Sequence, residues 1–312
     1  MQSGAVSRRQ AMAGLCLCCL PTTRLLAADG PARMVQVAPG IYIRHGLTAD
    51  AEAGNADAIA NIGFIVGAHS VAVFDPGGSV ADGRALRLAV RAATKLPIRY
   101  VILSHEHPDH VFGAAAFAPD HPIFVGHAML PEALAARGAF YQAGLDRILG
   151  PGKAGPVIAP TRLVHDRDSL DLGGRSLTLT AHPPAHTTCD LSALDSLSGV
   201  LLTGDLLFVQ RVPALDGSLS GWISELGKLK ALGARTAVPG HGPVSVPWPG
   251  AAADLERYLT VLQSQTRAAV AAAVPIGQAA SEVAASERGK WRLFDDYNGR
   301  NVIEAYRQIE WE

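Results

Sequence analysis

Cysteine is scarce and badly distributed for any structural role. Cys16, Cys18 and Cys19 crowd together near the N-terminus, and only Cys189 lies elsewhere. This excludes a disulfide framework in the body of the chain and a zinc site built from four thiolates. A basic excess is missing as well. The 312 residues carry 27 lysines and arginines against 28 acidic residues. Arg8, Arg9 and Arg24 belong to an N-terminal leader-like segment, so the remainder is acidic. A polyanion binder normally shows the opposite balance, so nucleic acid is excluded as the main partner. Aromatic residues make up only 6%. No Gly-x-Ser-x-Gly turn is present, so a serine nucleophile on a strand-to-helix elbow has no support. Long apolar runs are lacking too: Ala11 to Leu20 is too short for a stable membrane span. With 48% apolar and 18% charged residues, the chain is neither disordered nor a coiled coil.

The N-terminus has the three-part layout of an export signal. A polar stretch ends in Ser7-Arg8-Arg9-Gln10, the short apolar run follows, and small residues come at Ala27-Ala28. The arginine pair resembles a twin-arginine signal, the route that exports folded proteins. Residues 1–28 are therefore expected to be removed, leaving a periplasmic protein with no stable membrane span.

In the body of the chain, short apolar runs alternate with turn residues and helical spacing. Strands are expected at 34–37, 41–44, 61–66, 70–74, 98–103 and 123–125, with helices at 80–96, 111–117 and 129–149. The second half repeats this style. It has strands at 162–164, 169–172, 176–180, 191–194, 199–203 and 237–238, and helices at 219–232, 251–274, 276–285 and 301–309. Strands followed by helices in each half predict an α/β (α+β) fold of two mixed sheets with outer helices. Residues 29–250 form the expected main domain, and 251–312 a helical extension packed on it.

The chemistry concentrates in Ser104-His105-Glu106-His107-Pro108-Asp109-His110, directly after an apolar strand. Imidazole and carboxylate are ligands for borderline divalent cations such as zinc. His105 and His107 point the same way in an extended segment and can share one ion. Asp109 and His110 lie past Pro108 and can face a second. His186, Asp205 and His241 follow downstream at expected strand ends, where a scaffold displays functional groups.

The series His-x-His-x-Asp-His, a later His, Gly-Asp and Gly-His-Gly-Pro resembles the metallo-β-lactamase-fold hydrolases. The resemblance covers about residues 34–245 and implies an αββα sandwich with a metal site at one edge of the sheets. It implies that His105, His107 and His186 hold one Zn2+. Asp109, His110 and His241 would hold another, with Asp205 bridging and Asp75 supporting the site without ligating. On that basis two zinc ions activate a water that attacks a carbonyl of thioester, ester, lactone or amide type. Asp109 is the expected catalytic residue, orienting the nucleophile or passing on its proton. Glu106 and Ser104 are expected to give outer support only.

A narrower resemblance, carried by His110-Val111-Phe112-Gly113, Gly204-Asp205-Leu206-Leu207-Phe208-Val209 and Phe294-Asp295-Asp296-Tyr297-Asn298-Gly299-Arg300, is to the SoxH-like quinoprotein relay system zinc metallohydrolases. It implies a link to a periplasmic quinoprotein oxidation system. Arg211 and His127 are candidate substrate residues. A corner salt bridge is the competing role for Arg211. Tyr297, Arg300 and Asn301 either return to the cleft or serve packing, with Asn301 as a helix cap. His182 is read first as packed and Cys189 as inert. Alternatives for the whole are an iron persulfide dioxygenase holding one Fe2+ by His105, His186 and Asp205, a β-lactamase, and a non-catalytic metal-binding partner of a quinoprotein.

Overall fold

Short apolar strands decide the architecture: successive side chains leave a strand on opposite faces, and in the central strands both faces are buried, one against the other sheet and one under helices. In a computed structural model describing Met1 and residues 30–312, two sheets pack face to face. The expected export signal lies outside the described residues. The first sheet comprises β1 (Val35–Ala38), β2 (Ile41–Arg44), β3 (Ile62–Val66), β4 (Val71–Phe74), β5 (Ile98–Leu103), β6 (Ile123–His127) and β7 (Arg162–Val164), in that order. Pairing is antiparallel from β1 to β4 and parallel from β4 to β7. The second sheet comprises β8 (Arg167–Asp171), β9 (Ser176–Ala181), β10 (Leu191–Asp195), β11 (Val200–Phe208), β12 (Thr236–His241) and β13 (Val246–Pro247). Its pairs are antiparallel except for the parallel pair β11–β12.

The inner faces meet in one core. Ala72, Phe74, Tyr100 and Ile102 of the first sheet pack with Leu177, Leu179, Ala193 and Leu202 of the second. The alternate residues Val71, Val73, Val101 and Leu103 face outward under helices α1 (Val80–Ala93) and α3 (Leu130–Leu149). A one-turn helix, α2 (Pro108–Val111), precedes α3 in the chain. Outside the second sheet lie α4 (Leu219–Lys230), α5 (Ala253–Ala271), α6 (Ile276–Glu282) and α7 (Phe294–Ile309). Trp222, Leu255, Tyr258, Val302 and Tyr306 share one buried cluster there with Leu201 and Ala237. The layers run α, β, β, α, as the sequence leads one to expect. No helix among the described residues is long and apolar enough to cross a membrane.

Several boundaries differ from expectation, each for a local reason. α1 stops at Ala93 instead of Leu96, because Pro97 disfavours helical backbone at Leu96 and Thr94 is already extended. The helix expected at 111–117 is instead α2 followed by a 3-10 segment, Phe112–Asp120. The Gly113 N–H leaves the helical pattern and donates to Gly77 O (2.7 Å). β11 runs through Asp205 to Phe208, and β12 through His241, because parallel pairing continues as far as Phe208 opposite His241. α7 begins seven residues earlier than expected. Its asparagines are poor helix formers by propensity, but tertiary bonds hold them. Tyr258 OH donates to Asn298 Oδ1 (2.9 Å), and Asn301 Nδ2 donates to Pro213 O (2.7 Å). Asn301 is thus buried inside the helix and is not its cap.

Glu287 clamps α5 to the segment before α7. Its side chain is 1% exposed and pairs with Arg257 and Lys290, while Trp291 Nε1 also donates to it (3.1 Å). Burial disfavours its charge, but these donors outweigh burial and pull its pKa down to about 2. Glu287→Gln should lower the unfolding free energy by about 1–3 kcal/mol near neutral pH, measured by chemical denaturation. The depressed pKa means that this contribution is present above the ordinary glutamate value. It is lost as pH falls toward about 2, so the gap between wild type and variant should close on acidification.

Candidate metal centre

The site sits where β5, β11 and β12 end at one edge of the sandwich. β5 delivers Ser104 to His110, with α2 turning Asp109 and His110 inward. β11 carries Asp205, the loop between β9 and β10 carries His186, and the last residue of β12 is His241. Close backbone approach makes this possible. A Cβ on Gly240 would lie 1.8 Å from Asp205 Oδ1. At Gly204 (φ +51°) a Cβ would press on Ser104 at 2.9 Å in a left-handed conformation that favours glycine.

The seven expected ligands converge. His105, His107, His186 and Asp205 form one group and Asp109, His110 and His241 another; within each group, every ligand atom lies within 4.8 Å of the others. His107 Nδ1 and His186 Nε2 face each other at 3.0 Å. Asp205 joins the groups. Its Oδ2 lies 3.5 Å from His186 Nε2 and 3.3 Å from His241 Nε2, and its Oδ1 lies 3.1 Å from His110 Nε2. Asp109 Oδ2 stands 3.2 Å from His241 Nε2. All but His107 are buried. His105 Nε2, His110 Nε2 and Asp205 Oδ1 are buried with no hydrogen-bond partner. Buried polar atoms normally have partners, so this donor set fits divalent cations in the space between its members.

Each ring is held by its other nitrogen. Nδ1 of His105 faces Ser104 Oγ (2.9 Å), and Nδ1 of His110 faces Asp75 Oδ2 (2.8 Å). Nδ1 of His186 and of His241 reach the carbonyls of Ala214 (2.7 Å) and Ile59 (3.1 Å). Nε2 of His107 reaches Asp216 Oδ2 (2.8 Å). An N–H donated outward leaves the inner nitrogen as a lone pair, the tautomer that metal binding requires. Asp75 is fully buried and also accepts from the Ser104 N–H and O–H, both at 2.8 Å.

The electrostatics agree with cation binding. Burial pushes His105 well below the usual histidine range and His186 down to about 4, so both favour the neutral form. Burial alone would raise the Asp205 carboxyl, but His241 and His110 outweigh it and hold it well below the usual carboxylate range. Burial likewise disfavours charge on His110, yet Asp205, Asp109 and Asp75 raise its pKa well above normal. A place that attracts a proton so strongly attracts a metal cation for the same reason.

A cavity of about 660 Å³ opens on the site, lined by His107, Asp109, Asp205 and His241. Arg211 lines it, nearly buried, with Nη2 donating to Tyr297 OH (3.1 Å). Tyr297 and Arg300 line it too, so the C-terminal segment does return to the cleft. His127 does not line it: it is buried and accepts from the Met129 N–H (3.0 Å). It lies at the end of β6, outside the cleft walls, which corrects the expectation of a substrate role. His182 is packed between Glu225 (3.0 Å) and Ser192 (2.8 Å). Cys189 is buried, its Sγ donating to Glu106 Oε2 (2.9 Å), and burial pushes its thiol pKa far up, as suits an inert cysteine.

Sequence reasoning missed Asp216, which reads as an ordinary turn residue before Gly217, and the carbonyls of Ile59 and Ala214, which no residue type can signal. It also missed Asp57. This residue is 2% exposed at φ +61° and lines the cavity, with its Oδ2 unpartnered.

A family model described as the metallo-beta-lactamase superfamily matches residues 56–241. The chain belongs to that superfamily. A linear primary-alkylsulfatase from Pseudomonas sp. is 25% identical over 213 positions, taking in 55% of this chain and 40% of that protein. The chain thus spans about two fifths of that curated relative. Among solved structures, the sec-alkylsulfatase Pisa1 from Pseudomonas sp. superposes with a TM-score of 0.68 at 17% identity, covering 89% of this chain and 50% of that one. A metallo-beta-lactamase from Pontibacter korlensis gives 0.60 at 15% identity, covering 73% and 98%. Both likenesses show the superfamily fold.

Asp216 holds His107 from outside the donor set. Asp216→Ala should weaken metal binding about 10–100-fold while leaving the fold intact. Competition with a chromophoric chelator measures the first, and far-ultraviolet circular dichroism the second.

Proposed function

We propose that the chain is a hydrolase using two zinc ions to cleave an ester-type bond of a small molecule, with water as the nucleophile. The observation that carries this is the set of five imidazoles, each anchored by its outer nitrogen and presenting the inner one to two carboxylates inside an open cavity. His105, His107 and His186 on one side and Asp109, His110 and His241 on the other, with Asp205 between, would hold two such ions, which when bound would acidify a water and polarise the bond under attack.

The rest is the work of the protein's own groups. Asp205 shares one oxygen between both halves of the donor set and keeps them in register. Asp109 lines the cavity, and in this reading its carboxylate orients the water and accepts its proton. Arg211 presents a fixed positive charge beside His241, able to steady negative charge on the substrate. Asp75 and Ser104 keep His105 and His110 aimed.

Thioesters, esters, lactones and β-lactams are the substrates to test. Sulfate esters join them because relatives named as alkylsulfatases align with most of this chain. Export by the twin-arginine route, a periplasmic location and an association with a quinoprotein oxidation system complete the proposal. Their support is the N-terminal arginine pair and the motifs shared with the SoxH-like branch.

Metal analysis of protein purified from its natural compartment tests the reading. About two zinc ions per chain are expected. About one iron per chain, with oxygen consumption on persulfides, would replace the hydrolase by a dioxygenase. Asp205→Ala should lose bound metal and turnover together, and unchanged metal content and rate would remove Asp205 from the site.

A further inference from the structure

The cleft does not end at the metal ligands. A second lobe of about 190 Å³ continues along α7. Ala214, Asp216, Tyr297 and Arg300 line both lobes, so the lobes meet at these residues. Arg300 stands at the junction, and among the described residues its guanidinium makes no ion pair. Asp216 pairs with His107 and Arg137. Glu304, one turn further along α7, keeps its charge while one of its oxygens accepts from the Gln308 amide (3.0 Å), and it forms no ion pair with Arg300. Arg300 lies 6.0 Å from the Tyr297 ring, and the Arg211 guanidinium lies 5.3 Å from the same ring. Arg211 is 6% exposed, and its Nε is buried without a partner. Its nearest carboxylate is Asp50, at 3.6 Å and 53% exposed, a pair weakened by solvent.

The first lobe also has an apolar wall. α3 contributes Ala136, Phe140, Leu145 and Ile148 to it, and Phe140 is 72% and Ile148 44% exposed. Apolar side chains left open to water in a cleft gain by covering hydrocarbon. A guanidinium with no ion pair, as at Arg300, or with only a solvent-weakened one, as at Arg211, gains by receiving an oxyanion.

We propose that the cleft takes an ester whose hydrocarbon portion lies against α3 and which carries an oxyanion group, separate from the scissile bond, received by Arg300 with Arg211 behind it. The scissile bond rests on the hydrolase reading above; the anion subsite does not depend on turnover.

Suberate and octanoate test it by calorimetry on the metal-loaded protein. Both have eight carbons and one carboxylate able to meet the metal centre, and only suberate adds a second. Suberate should bind about tenfold more tightly, equivalent to about 1.4 kcal/mol, and in Arg300→Gln the advantage should fall to about twofold or less. Equal binding of the two by wild type, or an undiminished advantage in Arg300→Gln, would overturn the proposal. The 4-nitrophenyl hemi-ester of suberate and 4-nitrophenyl octanoate give the kinetic counterpart. The hemi-ester should show the higher kcat/KM, and Arg300→Gln should shrink that advantage through KM. If neither ester is cleaved while the suberate advantage holds, the carboxylic ester reading fails and the anion subsite stands.

Discussion

Five imidazoles and two carboxylates share a space in which the protein alone cannot satisfy them. His107 and His186 bring ring nitrogens to 3.0 Å, and one oxygen of Asp205 faces both His186 and His241. Buried polar atoms without partners cost free energy, and buried like charges cost more. The rest of the structure is arranged to keep this collection from relaxing apart, so that cations can resolve the conflict.

Asp75 shows how far that arrangement reaches. It is fully buried, in a left-handed conformation (φ +56°) just after β4. Such backbone costs about 1–3 kcal/mol for most residues, though aspartate tolerates it better than most. The return is three donors on one carboxylate: the Ser104 N–H, the Ser104 hydroxyl and the His110 ring. β4 and β5 are adjacent and parallel, so the turn after one strand supports the ligand loop after the next. The ends of two neighbouring strands thereby fix two rings through groups that lie outside the donor set.

The second half of the chain supplies the complementary side. His186, Asp205 and His241 come from three separate stretches of sequence, and pairing in the second sheet brings them together. The helices after residue 250 pack on that sheet and return Tyr297 and Arg300 to the cleft that α3 also lines. The donor set and the helical walls of the cleft are therefore built by different layers, one by strand ends and the other by helix faces.

Much was legible in the residues themselves. Short apolar runs, ordered strands first and then helices in each half, pointed to the two-sheet plan, and the crowded His-x-His-x-Asp-His motif named four ligand candidates by chemistry alone. Strand ends were less legible. β11 and β12 each run further than their apolar stretches, because parallel pairing to a neighbour, unseen in a single strand's sequence, carries them to Phe208 and His241. The start of α7 was hidden behind asparagine and glycine, whose weak helix propensity is overridden by bonds to Tyr258, Val283 and Pro213. Asp216 looked like any turn aspartate, and His127 looked like a pocket residue. Both roles turn on which atom faces which across more than a hundred residues, or fails to. The sequence by itself determined the kind of chemistry, since side-chain donor types are local properties. Only the tertiary structure decided which nitrogen of each ring faces the metal space, which carboxylates support it and which arginine stands unpaired at the cleft. These follow from orientation and burial, which exist only once distant segments have packed.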